Sequence, residues 1–419
     1  MDCFTIDQVS KHDTIDDCWV ILNNNVYNLT QFVNIHPGGK IILNYAGQDI
    51  TSVFYSVHPI SVIDKMDILN KYDKYKIGEL VRYNLRNNIN LTNYKKFRRT
   101  VNKEFTKKNK SFSILNLRGG FGTIVTLFIL NSMVITFYIV YIRKMNILST
   151  FILSNTIILT LLYQWHTSCH GALLKKPLPN LLVSLSGPLY GGISAIVWKR
   201  EHNLNHHDQI NQPTDTQHFN KYIRLSPQQE WKPKYKYQYL YAWCLYLFSS
   251  FNLKQQMPFQ YKTKIKTKYY YVHELMLLFH CILFLFIPIK IYGFLKAIKF
   301  YFLMGIFQSI YLTIAFIPNH ETLDCEGAET DWLKHQIKLS NNLRGGKITT
   351  FLFGGLNKQI EHHLFPSVHQ HHLNKITPFV KKYCEQNNIL YKEYSLYEVF
   401  KLHYKKLRLL SKSSYVFKN

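Results

Sequence analysis

The sequence predicts a small α+β domain fused to an all-α membrane domain with four spans. The first 80 residues are acidic, with ten Asp or Glu against six Lys, and alternate short apolar stretches with Asn- and Asp-rich turns. Four later apolar runs approach the length of about 20 residues that a membrane helix needs. Many of the 19 histidines cluster in the segments that follow these runs.

The net charge points to a membrane surface. The chain of 419 residues carries 51 Lys or Arg and 25 Asp or Glu, a formal charge of +26. Such a charge invites a nucleic-acid partner, but the sequence has no RRM, KH or zinc-finger pattern. Basic residues instead flank apolar runs, as in residues 94–110 and 262–268, which is typical of cytosolic loops facing anionic lipid. We therefore expect a lipid bilayer, and no nucleic acid, as partner.

Cysteine usage and the first ten residues indicate a reducing compartment. Seven cysteines are scattered without a Cys-x-x-Cys motif, which favours free thiols over a disulfide framework. Residues 1–10 contain Asp2 and Asp7 and no apolar run. We therefore expect no signal peptide and a cytosolic N-terminus.

The predicted organisation is a domain over residues 1–82, a polar basic linker over 83–118 and a membrane domain over 119–419. The predicted spans lie near residues 121–142, 147–164, 271–291 and 297–318. They form two pairs with short turns, so each hairpin returns the chain to its starting side and both termini are expected in the cytosol. The apolar residues 181–198 are interrupted by glycine and proline, so we expect them to pack beneath the site or at the interface.

Two histidines in the N-terminal domain suggest a haem site. His36 begins a His-Pro-Gly-Gly turn, and His58 follows 22 residues later. Two axial imidazoles on opposite faces of a slot suit electron transfer, because they leave no iron position open for oxygen. The stretch from His36 to His58, within residues 4–81, closely resembles the haem-binding stretch of cytochrome b5. That resemblance implies haem b with His36 and His58 as axial ligands, and an acidic surface that docks on basic partners.

Three further histidine groups follow the apolar runs. They are His166 and His170; His202, His206 and His207; and Gln359, His362 and His363. Histidines at i and i+4 lie on one helix face and can bind one metal ion. Eight nitrogen or amide ligands are about what two octahedral ions need, and imidazole without cysteine suits iron. A zinc hydrolase with Glu361 as its base is the less favoured alternative.

The last group carries a second resemblance. Gln359-Ile-Glu-His362-His363-Leu-Phe-Pro366, followed by residues 373–378, resembles the third histidine box of the front-end membrane fatty-acid desaturases. In that family Gln replaces the first histidine of this box, and a cytochrome b5 domain is fused at the N-terminus. Residues 187–203 resemble the stretch leading into the second box, and Asp215 the acidic residue beyond it.

Two departures from the family pattern bear on the metal site. Thr167 stands where the first box usually has Asp, and Thr cannot supply a carboxylate that orients an imidazole. The second box is usually H-x2-H-H, whereas here one more residue separates His202 from His206. On a regular helix His207 would then lie about 140° from His202. We expect a π-bulge at residues 203–205 to absorb the extra residue, or else one of these histidines is not a ligand.

The resemblance implies the activity and its partners. A front-end desaturase inserts a cis double bond into a polyunsaturated acyl chain, on the carboxyl side of an existing one, with two irons and O2. Electrons would reach the irons from NADH–cytochrome b5 reductase through the fused haem domain, at the endoplasmic reticulum. The implied iron ligands are His166, His170, His202, His206, His207, His362 and His363, with His320 as a further candidate. Gln359 would be the catalytic residue that binds iron or lies beside it.

Several alternatives stay open from the sequence. A hydroxylase on the same di-iron scaffold would yield a hydroxy acid, and a membrane-anchored electron carrier would hold haem iron only. The position of the new bond (delta-4, delta-5, delta-6 or, on sphingolipid, delta-8) and the carrier (acyl-CoA or phospholipid) are likewise open. His369, His371 and His372 follow Pro366, where the family has solvent-facing basic residues, so we expect them to be exposed and outside the site.

Overall fold

The structure, a computed structural model, describes residues 2–36, 39–58, 62–63, 70–81, 90–109, 113–212, 215, 222–254, 268–327 and 329–415. Within these residues a small sheet with short helices precedes a helical domain with four long apolar helices. This arrangement confirms the predicted fold class.

The N-terminal module (residues 2–81) is built on a five-stranded sheet in which the strands follow the order 1-5-3-2-4. The strands are Asp2–Phe4, Trp19–Leu22, Asn25–Asn28, Gln48–Asp49 and Lys76–Leu80. Its α-helices are Ile6–Val9 and Thr51–Val57, and its 3-10 turns are Gly39–Tyr45 and Asn70–Tyr75. The second and third strands form a hairpin because Asn23 and Asn24 both adopt positive φ, as a two-residue type I′ turn requires.

An ordered helix, Thr92–Asn109, occupies much of the stretch that the sequence predicts as a polar linker. We call it the linker helix. Most of its basic residues face outward, with the exception of the buried Arg98, while Tyr94, Phe97, Val101 and Phe105 recur at helical spacing on a buried face. The Tyr94 ring packs on Trp332 with ring centres 4.4 Å apart, so the linker helix is fixed to the C-terminal part of the chain.

Four helices are long and apolar enough to cross a membrane. They are Phe121–Lys144, Ile147–Cys169, Tyr269–Tyr292 and Phe294–His320, in agreement with the predicted spans. The first and third spans are only 17% and 22% buried within the protein, against 67% and 44% for the second and fourth. The second and fourth spans therefore form the inner pair, and both end at the histidine groups.

The remaining helices surround the ends of the inner spans. Between the second and third spans lie the α-helices Pro177–Val183, Ala195–Arg200, Gln238–Tyr246 and Ser249–Lys254, the 3-10 turn Pro233–Tyr237 and the π-helical turns Gly187–Gly191 and Glu201–His206. After the fourth span lie Trp332–Lys338, Lys347–Leu352, Gln359–Leu364, Leu373–Gln386 and Leu396–Leu410, with a parallel strand pair, Asn342–Leu343 and Glu393–Tyr394. Shorter elements are Ile114–Asn116, Leu161–His166, Thr167–Cys169, Ile282–Phe286, Ile287–Tyr292 and Gln370–His372.

The apolar stretch over residues 181–198 does not span, as its glycines predict. A Cβ at Gly187 would overlap the indole of Trp165, so glycine here lets the π-helical turn pack closely on the second span. The stretch thus lies beside the inner spans and leads directly into the second histidine box.

One hydrophobic cluster runs from the N-terminal module into the membrane domain. It joins Val53 and Phe54 of the module, Phe97 of the linker helix, Leu204 of the second box and Phe365 of the C-terminal part. Burial of apolar surface stabilises such a cluster by about 25 cal/mol per Å². The module, the linker helix and the histidine-bearing segments are therefore packed as one body.

Candidate metal centre and haem-binding site

The structure brings the predicted metal ligands together from four segments. His166 lies in the last turn of the second span, His170 directly follows that span, and His320 is the last residue of the fourth span. The second box lies in and directly after the π-helical turn Glu201–His206, and the third lies in the helix Gln359–Leu364. All eight histidines and Gln359 are buried.

The ring nitrogens form two groups, each within 4.8 Å and each able to hold a metal ion. The four-histidine group consists of His166, His170, His202 and His362. The three-histidine group consists of His206, His320 and His363. Two neighbouring groups of this kind match the two-ion site expected from the sequence, while their roles as ligands stay a prediction.

His207 lies between the two groups. Its ring stacks on His363 with centres 4.1 Å apart, and its Nε2 lies 3.1 Å from Nε2 of His202. Two nitrogens at about 2.1 Å from one ion and at right angles to each other are about 3 Å apart. The distance between His202 and His207 is therefore suited to a shared ion.

The extra residue in the second box is absorbed by a π-helical turn, as predicted. The turn covers Glu201–His206, and the His207 amide donates to the His202 carbonyl at 2.9 Å, an i to i+5 bond. The wider turn brings the His202 and His207 side chains to the same side, although the sequence separates them by one residue more than the family pattern. The altered spacing is therefore compatible with three histidines in one site.

The rings of the three-histidine group are held by fixed acceptors. The Nδ1 of His206 lies 3.1 Å from the Asp215 carboxylate, and that of His320 lies 2.7 Å from the Leu339 carbonyl. The Nδ1 of His363 lies 2.9 Å from Gln336 Oε1. If each Nδ1 carries the proton, each Nε2 keeps a lone pair for a metal ion.

Three rings of the four-histidine group are not held in this way. No ring nitrogen of His166, His170 or His362 hydrogen-bonds to another described residue, and the Nε2 atoms of all three are fully buried. Thr167, which replaces the usual Asp, instead bonds to Gln370 Oε1 at 3.3 Å. Buried polar nitrogens without a partner are costly, and a bound metal ion would satisfy them.

The charge state of the site also suits a metal. Burial first, and neighbouring imidazoles second, hold the pKa of His207, His362 and His363 well below the usual value. These rings are therefore neutral near pH 7, which is the form that binds metal.

The two other polar residues of the third box, Gln359 and Glu361, have different surroundings. The Gln359 amide nitrogen lies 2.9 Å from His320 Nε2, so Gln359 stands beside a predicted metal-binding nitrogen. Glu361 accepts from Asn342 and Tyr391, both at 2.7 Å, and neither histidine group includes it. Glu361 is thus committed to the packing of the C-terminal part, which removes the general base that a zinc hydrolase would need.

The histidines after Pro366 correct one expectation. His369 is fully buried, with its Nε2 3.5 Å from Thr123 of the first span, so its predicted exposure is wrong. His371 is exposed as expected. His369 contacts Thr123 of the first span and Tyr163 of the second, and it belongs to neither histidine group. It therefore contributes to packing rather than to the metal site.

His36 and His58 face each other in the N-terminal module. Their ring centres are 6.2 Å apart. Two imidazoles on opposite sides of one ion, with metal–nitrogen distances of about 2 Å, have ring centres about 6 Å apart. The Nδ1 of His58 lies 3.0 Å from the Phe54 carbonyl, and burial lowers the pKa of His58 to about 4. The pair therefore fits bis-histidine haem ligation.

Sequence reasoning missed the residues that support the histidines. Gln336 holds His363 and donates to the His207 carbonyl at 2.9 Å, yet its only sequence signal is its place next to His335. The carbonyl of Leu339 has no sequence signal at all. Asp215, in contrast, was identified from its place beyond the second box.

The fold and the site define a class of protein, in which a small sheet module is joined to a four-span membrane domain with two buried histidine groups. Residues 144–395 match the family model described as fatty acid desaturase, and residues 5–81 match the cytochrome b5-like heme/steroid binding domain. The chain belongs to the cytochrome b5-fused, or front-end, fatty-acid desaturases, which are O2-dependent oxidoreductases. It is a multi-pass membrane protein that acts on lipid.

Full-length relatives agree with this assignment. The chain is 27% identical to the probable delta(5) fatty acid desaturase C of Dictyostelium discoideum, over 94% of this chain and 92% of the relative. It is 23% identical to the acyl-lipid (8-3)-desaturase of Mortierella alpina, over 97% of each chain. It is 24% identical to the delta(8)-fatty-acid desaturase 2 of Arabidopsis thaliana, over 94% of this chain and 90% of the relative. The boundaries at residues 82 and 118 stay predictions.

Proposed function

We propose that this desaturase inserts a cis double bond between an existing double bond and the carboxyl end of a polyunsaturated acyl chain. Its two histidine groups would hold two iron ions, and His36 and His58 would hold haem b. The observation that carries the proposal is the pair of buried histidine groups at the ends of the inner spans, in which the Nε2 atoms of His166, His170, His362 and His363 have no hydrogen-bond partner among the described residues.

The residues of the chain prepare the reaction. Two irons with O2 supply the strong oxidant that removal of hydrogens from an unactivated methylene pair needs. Asp215, Gln336 and the Leu339 carbonyl orient the rings of the three-histidine group, so its nitrogens converge before binding. Burial of the site excludes water, which protects a reactive oxidant from side reactions. Gln359 would bind iron or lie beside it.

The spans support a cytosolic site that takes its acyl chain from the bilayer. The histidines lie at the C-terminal ends of the second and fourth spans or in the segments after them, which supports a site on one membrane face. The N-terminal module packs against the second box on that same face. We place both termini in the cytosol at the endoplasmic reticulum, with NADH–cytochrome b5 reductase as the electron source.

The names of the relatives guide the choice of substrate. Relatives named delta(5) or (8-3) desaturases span nearly the whole chain, as does one named delta(8). We therefore test for delta-5 insertion first. Delta-6 insertion is a separate outcome of the same experiment. Delta-4 and delta-8 insertion need longer acyl substrates or analysis of the sphingoid bases, and the choice between acyl-CoA and phospholipid as the carrier needs separate analysis of those two fractions.

Fatty-acid methyl ester analysis of yeast expressing the chain tests the proposal. Cultures receive linoleic, alpha-linolenic or dihomo-gamma-linolenic acid. We expect a product with one added double bond, absent from a His362→Ala variant and retained in His371→Ala, which removes an exposed histidine. A hydroxy acid would establish the hydroxylase instead. No product, with good expression, a haem spectrum and haem iron alone, would establish the electron carrier.

A further inference from the structure

The π-helical turn of the second box has two functional sides. His202, His206 and His207 face the histidines of the first and third boxes. Asn203, between them in sequence, donates from Nδ2 to the Tyr45 hydroxyl of the N-terminal module at 2.9 Å. The neighbouring Leu204 is buried in the hydrophobic cluster that includes the module. The residues of the widened turn therefore join the predicted metal site to the module.

The same turn also contacts the helix that carries a haem ligand. Helix Thr51–Val57 packs against Glu201–His206 and ends at His58. His36 precedes, in sequence, the 3-10 turn Gly39–Tyr45, which packs on helix Ala195–Arg200 and ends at Tyr45. Elements next to both predicted haem ligands thus contact the segment that carries the second box.

Arg98 of the linker helix fixes this arrangement from the other side. It is 2% exposed, and its guanidinium donates to the carbonyls of Tyr55 and His58, the latter at 2.8 Å. The carbonyls at a helix C-terminus lack helical partners and carry partial negative charge, so a buried cation is stabilised there. Lys95, one turn earlier on the same helix, places its ammonium 4.3 Å from the centre of the Tyr55 ring.

We propose that Asn203, Tyr45 and Arg98 are positioning residues that dock the haem module on the second histidine box for electron delivery within one chain. The proposal rests on the proposed function. Each delivery would transfer one electron from the haem to the iron ions that the histidine groups would hold. Two deliveries would therefore support the formation of one double bond with O2. The longer second box would then have a function: its widened turn presents Asn203 to the N-terminal module.

Two pairs of variants test the docking. Tyr45→Phe removes only the hydroxyl that Asn203 contacts, and Tyr27→Phe is the matched change on a half-buried tyrosine of the same module. Arg98→Leu removes the contacts to the His58 end of the helix, and Arg99→Leu is its exposed neighbour on the same linker helix. All variants are compared as full-length, haem-loaded protein in lipid nanodiscs.

The first measurement is hydrogen–deuterium exchange. Loss of docking should raise exchange at least about threefold in both Thr51–Val57 and Glu201–His206 in Arg98→Leu, with a smaller rise in Tyr45→Phe. Tyr27→Phe and Arg99→Leu should match the parent protein. Unchanged exchange in both segments of Arg98→Leu would overturn the docking.

The second measurement follows the haem itself by stopped-flow absorbance. Haem reduction by NADH and the reductase should keep its rate in Tyr45→Phe, because that step uses an external partner. Reoxidation of reduced haem with acyl substrate and O2 should slow by about two- to tenfold, the effect of one lost hydrogen bond. Asn203→Leu also removes a hydrogen bond to the Cys169 carbonyl at 3.4 Å, but Tyr45→Phe should add nothing in the Asn203→Leu background, since the shared contact is already lost there. Independent, multiplying effects would overturn the Tyr45–Asn203 contact.

The outcomes separate this proposal from the function it rests on. If the parent protein forms no double bond, the proposed function fails whatever the exchange data show. If the parent protein forms product but haem reoxidation is as fast in Tyr45→Phe and Arg98→Leu as in the parent protein, the docking proposal fails and the function stands. The Michaelis constant for the acyl substrate should stay unchanged in Tyr45→Phe if the residue acts through docking alone.

Discussion

The two histidine groups are similarly buried but their rings are held differently. Each ring of the three-histidine group has its Nδ1 against a fixed acceptor: Asp215, the Leu339 carbonyl or Gln336. In the four-histidine group, His166, His170 and His362 have no such contact to any described residue. An imidazole fixed through one nitrogen has its tautomer and direction set before metal binds.

The difference indicates that protein hydrogen bonds orient the rings of the three-histidine group before metal binds. In the four-histidine group the bound ion itself would have to orient the rings of His166, His170 and His362. The three-histidine group loses little rotational freedom on binding, because packing and hydrogen bonds have already restricted it. The four-histidine group lacks the carboxylate that its family usually places at position 167. We therefore expect the two irons to be bound with unequal strength, and the predictions below test that inequality.

The largest effect is expected from removal of a ligand. His363→Ala should abolish product formation and reduce non-haem iron from about two to about one per chain, because the remaining nitrogens of its group are too few to hold an ion. His170→Ala should abolish product to the same extent. Methyl ester analysis and iron assay, corrected for haem, measure both. Wild-type activity in His363→Ala would remove the three-histidine group from the reaction.

A smaller loss is expected when the acceptor for a ligand is weakened. Asp215→Asn keeps the shape of the side chain but removes the negative charge against His206, and should lower iron affinity or activity by about 10- to 100-fold. Asp331→Asn is the matched control, because Asn caps the helix Trp332–Lys338 as well as Asp does. Equal activity in both variants would show that the Asp215 carboxylate does not act through His206.

Much of this arrangement could be predicted because its signals are local in sequence. The spans follow from the length of the apolar runs, and the π-helical turn at Glu201–His206 follows from the phase of three histidines on a helix. Asp215 was identified from the resemblance to the front-end desaturases, in which an acidic residue follows the second box.

The remainder depends on contacts between distant segments. Gln336 reaches His363 only because the helices Trp332–Lys338 and Gln359–Leu364 pack together, and nothing in either sequence sets that geometry. The Tyr45–Asn203 contact joins residues 158 positions apart. His369 carries basic, polar neighbours that suggest exposure, yet packing against the first span buries it.

Chelation should remove the two irons in sequence. The ion of the four-histidine group is expected to leave about tenfold faster than the other, because the rings of His166, His170 and His362 are not held by acceptors among the described residues. Release of non-haem iron to a ferrous chelator, followed by absorbance, should have two phases of equal size. In His170→Ala the fast phase should disappear. A single phase in the parent protein, or loss of the slow phase in His170→Ala, would contradict the inequality.

The smallest effect is expected at position 167. Thr167→Val keeps the volume and removes a hydroxyl that contacts only Gln370 among the described side chains, at 3.3 Å. A long hydrogen bond of this kind contributes about 0.5–1 kcal/mol, so activity should change less than about twofold. Thr167→Asp gives the contrasting case, because a buried carboxylate would replace a hydroxyl donor with an acceptor beside the Gln370 oxygen and should lower stability. A gain of iron affinity in Thr167→Asp would instead mean that the carboxylate reaches a ring of the four-histidine group, and the two groups would then become equal.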